Sequence, residues 1–230
     1  MTRPGGTPSR GRRPTTRSRP AACTSPSTFG SEGDPLDSLQ VVGAALGLAY
    51  VWLAIREIPW CWPIGIANAL LFLVVYAKAQ IYGAAGLQGL YAALSVYGWY
   101  EWLHGGTGRG RLAVSRTPLP WAAVLAVSGV AASLGLGVVL KFYTNDVLPF
   151  PDAAVTAFSL VAQWMTTRKW LENWLLWIVL NVANVAICVS QRLYPMSAVY
   201  ALFLVLAVLG YREWRASLRA GEPASGATAA

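Results

Sequence analysis

Seven apolar segments, none of which contains an Asp, Glu, Lys, Arg or His, occupy most of the sequence between its two ends. Long runs without charge are the pattern of membrane-spanning helices. Several segments have about 16 residues, fewer than the roughly 20 of a full crossing, but Trp and Tyr at their ends would extend them into the headgroup region. We therefore expect an all-α membrane protein with seven transmembrane helices. The segments cover residues 39–55, 63–77, 85–100, 120–140, 153–167, 173–189 and 195–211.

The two ends of the chain have a different composition. Residues 1–35 are rich in Arg, Pro, Ser, Thr and Gly without an apolar period, and we expect a disordered tail. No apolar stretch follows the basic residues directly, as it would in a signal peptide. A transit peptide or a nucleic-acid-binding arm is an alternative, but a solvated tail fits better and we expect no nucleic-acid partner. Residues 217–230 are expected to form a flexible C-terminal tail.

Composition also limits the chemistry. The chain has one His, and its three Cys are far apart with no metal or redox spacing, so we expect no metal, no cofactor and no disulfide framework. The predicted helices hold no carboxylate pair and no Ser–His pair. We therefore expect no enzymatic activity. The net charge of +8 comes largely from the N-terminal tail and from the ends of the apolar segments, where membrane topology explains it.

An internal repeat organises the chain. Shifting the sequence by 112 positions brings identical residues into register, seven of which we note below, and segments one to three then match segments five to seven. We expect one repeat over residues 36–104, a loop and linker helix over 105–142, and a second repeat over 143–216. Because the linker adds a crossing, the repeats run in the same direction, with the site at their interface near mid-membrane. Seven of the identical pairs are Trp52 and Trp164, Arg56 and Arg168, Trp62 and Trp174, Tyr82 and Tyr194, Gly98 and Gly210, Glu101 and Glu213, and Trp102 and Trp214.

The basic residues of the short loops predict the orientation. One side carries Arg56, three Arg between residues 109 and 116, Arg168, Lys169 and three Arg after residue 211. The loops of the other side carry three basic residues in all. The positive-inside rule therefore places the C-terminus in the cytoplasm and the N-terminus outside.

Three residues of the sixth segment share one helix face. Trp174, Trp177 and Asn181 are separated by three and four positions. Two indoles and a carboxamide suit a flat, cationic heteroaromatic ligand, which would gain cation–π energy and hydrogen bonds. Alternatively, Trp174 is a belt residue at the helix end, Trp177 packs against another helix and Asn181 bonds a neighbouring helix.

Further polar residues are candidates for the same site. Gln88 and Tyr91 lie three residues apart in the third segment, and the repeat superimposes Gln88 on Tyr200. It superimposes Trp177 and Asn181 on Gly65 and Ala69, so the two halves differ where an asymmetric ligand would bind. Asn68 is one position out of register with Asn181 and ranks lower, as a residue that lines the path or bonds a neighbouring helix. We expect Trp102 to lie at a membrane edge.

The residues of both halves together resemble the PnuC family of nicotinamide riboside transporters. In the first half the resemblance rests on Gln88, Tyr91 and the YGWYEW run of residues 97–102. In the second half it rests on the W-x-x-W-x-x-x-N pattern from Trp174 to Asn181, with Gln191, Tyr194, Tyr200 and the closing GYREW run of residues 210–214. The resemblance covers about residues 39–214 and includes the three-plus-one-plus-three duplication.

The resemblance implies a SWEET-like homotrimer in the cell membrane that passes nicotinamide riboside by facilitated diffusion, with cytoplasmic phosphorylation trapping the substrate. Trp177 would stack on the nicotinamide ring beside Trp174, Asn181 would hydrogen-bond the ligand, and Gln88 and Tyr91 would hold the ribose. Relatives that carry thiamine or riboflavin are the alternative, although the intact W-x-x-W-x-x-x-N pattern favours nicotinamide riboside. A structural or signalling membrane protein is a third hypothesis.

Overall fold

The fold is all-helical over residues 35–144 and 147–221, which are the residues that the computed structural model describes. This part of the chain contains seven α-helices and one short 3₁₀ helix at residues Thr107–Arg109. The helices are α1 (Pro35–Ile55), α2 (Cys61–Lys78), α3 (Tyr82–His104), α4 (Leu119–Tyr143), α5 (Pro149–Thr167), α6 (Asn173–Ser190) and α7 (Tyr194–Gly221).

Each predicted apolar segment lies inside one helix, so the expectation of seven helices is confirmed. Each helix is longer than its apolar segment, because further residues continue it at one end or at both. Helix α5 begins at Pro149, four residues before its predicted core, and so includes Asp152. Helix α7 continues to Gly221, so the first five residues of the expected C-terminal tail are helical. Residues 1–34 and 222–230 lie outside the described residues.

The helix surfaces are those of a membrane protein. Four helices are long and apolar enough to cross a bilayer, namely α2, α4, α6 and α7, and α1 contributes a shorter apolar stretch at Val41–Ile55. Large apolar side chains such as Val127 and Leu134 of α4 are exposed, as lipid-facing side chains are. Helices α3 and α5 are more polar along their length, and both turn polar residues toward the interior of the bundle.

Neighbouring helices pack in a repeated pattern. Helix α2 packs against α1 and α3, while α6 packs against α5 and α7. Contacts between the two groups join α1 to α7 and α3 to α5, and helix α4 packs along α5. Helix α1 carries a G-x-x-x-G spacing at Gly43 and Gly47, and this pair faces helices of the same chain, because Gly43 abuts Phe72 and Gly47 abuts Phe203.

Two tryptophan pairs close the end of the bundle where α1 and α5 finish. Trp62 and Trp102 meet edge to face at 5.3 Å and 90°, and Trp174 and Trp214 repeat this geometry at 5.4 Å and 88°. Each pair needs a glycine, because a Cβ at position 98 would overlap the indole of Trp62 and one at position 210 that of Trp174. Both members of the repeat therefore build the same local structure.

Trp102 lies in the last turn of α3, but its side chain is buried within the bundle. Its side chain is 1% exposed, and its Nε1 donates a 3.1 Å hydrogen bond to the backbone oxygen of Thr166. Its counterpart Trp214 donates a 3.1 Å bond to the backbone oxygen of Ala54, which corresponds to Thr166 in the first half. Trp102 is therefore a buried contact between the two halves.

Candidate functional site

A cavity of about 580 Å³ lies inside the bundle, and all seven residues predicted for the site line it. Cavities of roughly 300–1,000 Å³ are typical of small-molecule sites. Its walls come from α1, α2, α3, α5, α6 and α7, so both predicted repeats contribute. The seven residues are Asn68, Gln88, Tyr91, Trp174, Trp177, Asn181 and Tyr200.

Burial of the lining changes along the cavity. At the end closed by the tryptophan pairs the lining is buried, as at Ala54, Thr166 and Trp174. At the other end Tyr76 and Asp152 are partly exposed. The aromatic and amide side chains predicted for the ligand therefore lie at the buried end or between the two ends.

Helix α6 presents its predicted face to the cavity. Trp177 donates from Nε1 to Oγ1 of Thr166 at 3.4 Å, which fixes one edge of its indole against α5. Asn181 donates from Nδ2 to the backbone oxygen of Trp177 at 2.8 Å, so its Oδ1 keeps acceptor capacity for a ligand. An aromatic surface and an amide acceptor thus stand one turn apart.

Trp174 lies deeper and is not a belt residue. Its side chain is 3% exposed and packs edge to face against Trp214. The residue lines the cavity, and its Nε1 is a buried donor for which the described residues provide no acceptor. A buried polar atom without a partner is costly, and a ligand acceptor would remove that cost.

Asn68 is a stronger candidate for ligand binding than its position, one residue out of register with Asn181, suggests. Its Oδ1 is also buried without a hydrogen-bond partner among the described residues, and it lines the cavity from α2. Gln88 and Tyr91 line the cavity from α3, and both are partly buried. Donor and acceptor groups therefore approach the cavity from α2, α3 and α6.

The two halves line the cavity unequally. Gly65 and Ala69, which correspond to Trp177 and Asn181, also line it, and Gln88 and its counterpart Tyr200 do so as well. One half places an indole and an amide where the other has no bulky side chain. This difference leaves room for a ligand to lie against the second half.

Helix α5 contributes a polar face to the cavity that was not predicted from the sequence. Its lining residues include Asp152, Thr156, Ser159, Gln163 and Thr166, spaced four, three, four and three apart. This spacing is that of a polar stripe along one helix face, and it could have been found in the sequence. Asp152 was missed because the apolar segment begins one residue later, and it is the one acidic or basic residue among the described residues of the lining.

The lining is suited to recognition of a small aromatic molecule. It combines indole and phenol rings, neutral amides and hydroxyls, and one carboxylate. Aromatic faces bind flat rings and attract cations, and the amides and hydroxyls offer directional hydrogen bonds. Among the described residues no group of three or more His, Cys, Asp or Glu side chains is placed to hold a metal ion.

Comparisons with known proteins agree with this description. The family model described as nicotinamide mononucleotide transporter matches residues 37–216. The nicotinamide riboside transporter PnuC of Escherichia coli strain K12 is 32% identical, over 83% of this chain and 90% of that protein. The riboflavin/roseoflavin transporter RibM of Streptomyces davaonensis is 30% identical, over 76% and 83%. The crystal structure of the vitamin B3 transporter PnuC has the same fold, with a TM-score of 0.65 and 20% identity over 82% of this chain and 85% of that one.

Proposed function

The chain belongs to the nicotinamide mononucleotide transporter family, and on that premise we propose that it is a membrane transporter of nicotinamide riboside. The observation that carries the proposal is the cavity between the two halves, which indole and amide side chains line and which has a carboxylate at its partly exposed end. Nicotinamide riboside carries a flat pyridinium ring, a carboxamide and a ribose. Each of these groups has a chemical counterpart in the lining.

We assign the binding roles from the position of each side chain. Trp177 stacks on the pyridinium ring, and Trp174 closes the pocket beneath it. Asn181 accepts a hydrogen bond through Oδ1, because its Nδ2 is held by the backbone of Trp177. The ribose hydroxyls are bound from α3 by Gln88 and Tyr91. Tyr200 and Asn68 complete the pocket from the facing helices, with Oδ1 of Asn68 as a further acceptor.

We further propose that the helices form two parallel repeats joined by a linker, a 3+1+3 SWEET-like arrangement with the repeats at residues 36–104 and 143–216. Three pairs of equivalent positions support it. Trp102 and Trp214 make equivalent bonds in opposite directions between the halves. Gln80 and Arg192 both have φ of 60°, and Glu57 and Lys169 have φ of 56° and 50°. Positive φ is unusual for such residues, so its recurrence at a spacing of 112 indicates equivalent turns.

Transport is proposed to be facilitated diffusion, with cytoplasmic phosphorylation trapping the riboside. The described lining contains one ionisable acid, Asp152, at its partly exposed end. A single carboxylate there matches the positive charge of the ligand, whereas coupled transporters usually carry relays of ionisable residues in the membrane. The protein would therefore equilibrate the riboside in either direction.

The proposed orientation in the cell membrane puts the C-terminus in the cytoplasm and the N-terminus outside. It follows from the basic residues near Arg56 and Arg168, which lie at the end closed by the tryptophan pairs. With that orientation the partly exposed end of the cavity faces outward. We also propose a homotrimer, as the resemblance to the family implies. Since Gly43 and Gly47 pack against helices of the same protomer, the trimer contact lies on other surfaces.

Riboflavin is the second candidate substrate, because RibM is nearly as similar to this chain as PnuC. Its larger, uncharged ring system would gain no advantage from Asp152. Thiamine, a cation, is a weaker alternative. Purified protein in liposomes without a kinase should take up labelled nicotinamide riboside until the concentrations inside and outside are equal. Uptake of riboflavin without uptake of the riboside would contradict the proposal, and accumulation driven by a proton or sodium gradient would contradict facilitated diffusion.

A further inference from the structure

Gln163 and Tyr50 form a hydrogen-bonded pair inside the cavity that has no role in the assignments above. The Nε2 of Gln163 lies 3.2 Å from the hydroxyl oxygen of Tyr50, and that oxygen lies 3.4 Å from Oε1 of Gln163. Tyr50 is on α1 and Gln163 on α5, so the pair joins the two halves. Both side chains line the cavity.

Gln163 is nearly buried, with 5% of its surface exposed. A carboxamide has two N–H donors and a carbonyl with two acceptor lone pairs, and the Tyr50 hydroxyl uses only part of this capacity. Buried amides are stable when their donors and acceptors are paired. The outward N–H and the outward lone pair of Oε1 therefore remain available to a ligand group.

Gln163 lies along helix α5 at about the level of the site proposed for the nicotinamide ring. Thr166, the hydroxyl that accepts from Nε1 of Trp177 at 3.4 Å, is three residues further along the same face of α5. One helical turn rises about 5.4 Å. A ring stacked on Trp177 would therefore bring a substituent at its edge within reach of the Gln163 amide.

We propose that Gln163, oriented by Tyr50, recognises the carboxamide of the bound nicotinamide ring and selects the amide form of the riboside over the acid form. The inference rests on the proposed function, that nicotinamide riboside is the substrate. The lone pair of Oε1 that points away from Tyr50 can accept a hydrogen bond from an N–H of the ligand carboxamide. A carboxylate offers acceptors only, so it loses this bond and sets its charge against Oε1 of Gln163.

The test compares nicotinamide riboside with nicotinic acid riboside by calorimetry on the purified full-length protein. Wild-type protein should bind the amide form about tenfold more tightly, which corresponds to one or two buried hydrogen bonds. Gln163→Met keeps the unbranched shape of the side chain and removes the amide. It should weaken binding of the amide form and bring the affinity ratio of the two ligands close to one.

Gln88→Met is the matched control, since it makes the same chemical change at the other glutamine of the cavity. Gln88 is assigned to the ribose, which both ligands share, so this variant should weaken both equally and keep their ratio. Tyr50→Phe should lower the ratio in part, because the Gln163 amide loses its orienting hydroxyl. A purely structural role of the pair would lower both affinities together.

Equal affinities of the wild type for the two ribosides would overturn the inference even if Gln163→Met failed to fold. An unchanged ratio in folded Gln163→Met would overturn it too, and either result leaves the proposed function standing. Wild-type protein that binds neither riboside would contradict the proposed function and, with it, the inference.

Discussion

Lys169 donates a 2.9 Å hydrogen bond from Nζ to Oε2 of Glu57, the residue 112 positions earlier and thus at the equivalent position of the first half. In the proposed two-fold arrangement of the repeats, two equivalent residues would meet only where the symmetry axis passes between them. Here the two positions carry opposite charges, so this contact is an ion pair. The Nζ also lies 4.5 Å from the ring centroid of Trp102, beside the tryptophan pairs that close the bundle.

Breaking this ion pair should destabilise the closed end. The Lys169 side chain is 6% exposed, so Glu57→Gln leaves a buried ammonium with weaker partners. We expect a loss of about 1–3 kcal/mol in the free energy of unfolding, toward the lower value because Glu57 is partly exposed. Thermal unfolding in detergent measures it. Glu213→Gln, at an exposed position, is the control, and the exchange Glu57→Lys with Lys169→Glu should recover much of the loss.

Trp177→Ala should weaken riboside binding by about 2–4 kcal/mol, because it removes a central aromatic anchor. Trp177→Phe should recover part of this affinity, since a weaker π face remains. Calorimetric titration of the folded variants measures both effects. Trp60→Ala is the control, as Trp60 is 68% exposed and outside the cavity, and it should bind like the wild type. If Trp177→Ala bound the riboside like the wild type, the nicotinamide ring would bind elsewhere in the protein.

The sequence predicted the helices well because charge is excluded from lipid. Its repeat also brought together Gln88, Tyr200 and the α6 face, which all line one cavity. The sequence did not predict that Trp102 is buried, since a tryptophan at a helix end is equally typical of a headgroup belt and of a buried contact. The rotation of the helix decides between these, and apolar periodicity does not fix rotation when lipid and protein are both apolar.

Residues of helix α5 were missed for two other reasons. Helix α5 begins with Pro149, because the N–H of the first helical residue makes no hydrogen bond within the helix and proline lacks this N–H. The helix therefore begins before the apolar segment and includes Asp152. The Gln163 and Tyr50 pair depends on contact between residues 113 positions apart, which no local pattern contains.

Asn68→Leu should separate binding from stability. The buried Oδ1 of Asn68 has no partner among the described residues, so an apolar side chain of similar volume removes a polar desolvation cost. We expect the free energy of unfolding without ligand to stay the same or to rise by about 1 kcal/mol, while riboside affinity falls. Asn181→Leu provides the contrast, because it also loses a 2.8 Å bond to the α6 backbone. Equal affinity in Asn68→Leu and wild type would remove Asn68 from the site.

Asp152→Asn should reduce uptake of the cationic riboside more than uptake of an uncharged analogue. The Asp152 carboxylate lines the partly exposed end of the cavity, where negative charge raises the local concentration of a cation. The reduced riboside, whose ring is a neutral dihydropyridine, has nearly the same shape and serves as the matched probe. We expect initial uptake of the cation at low concentration to fall about threefold to tenfold, with less effect at high salt because exposed charges are screened. Uptake of the reduced form should change little. If both forms lost uptake equally at every salt concentration, Asp152 would act through the structure of the cavity mouth and not through its charge.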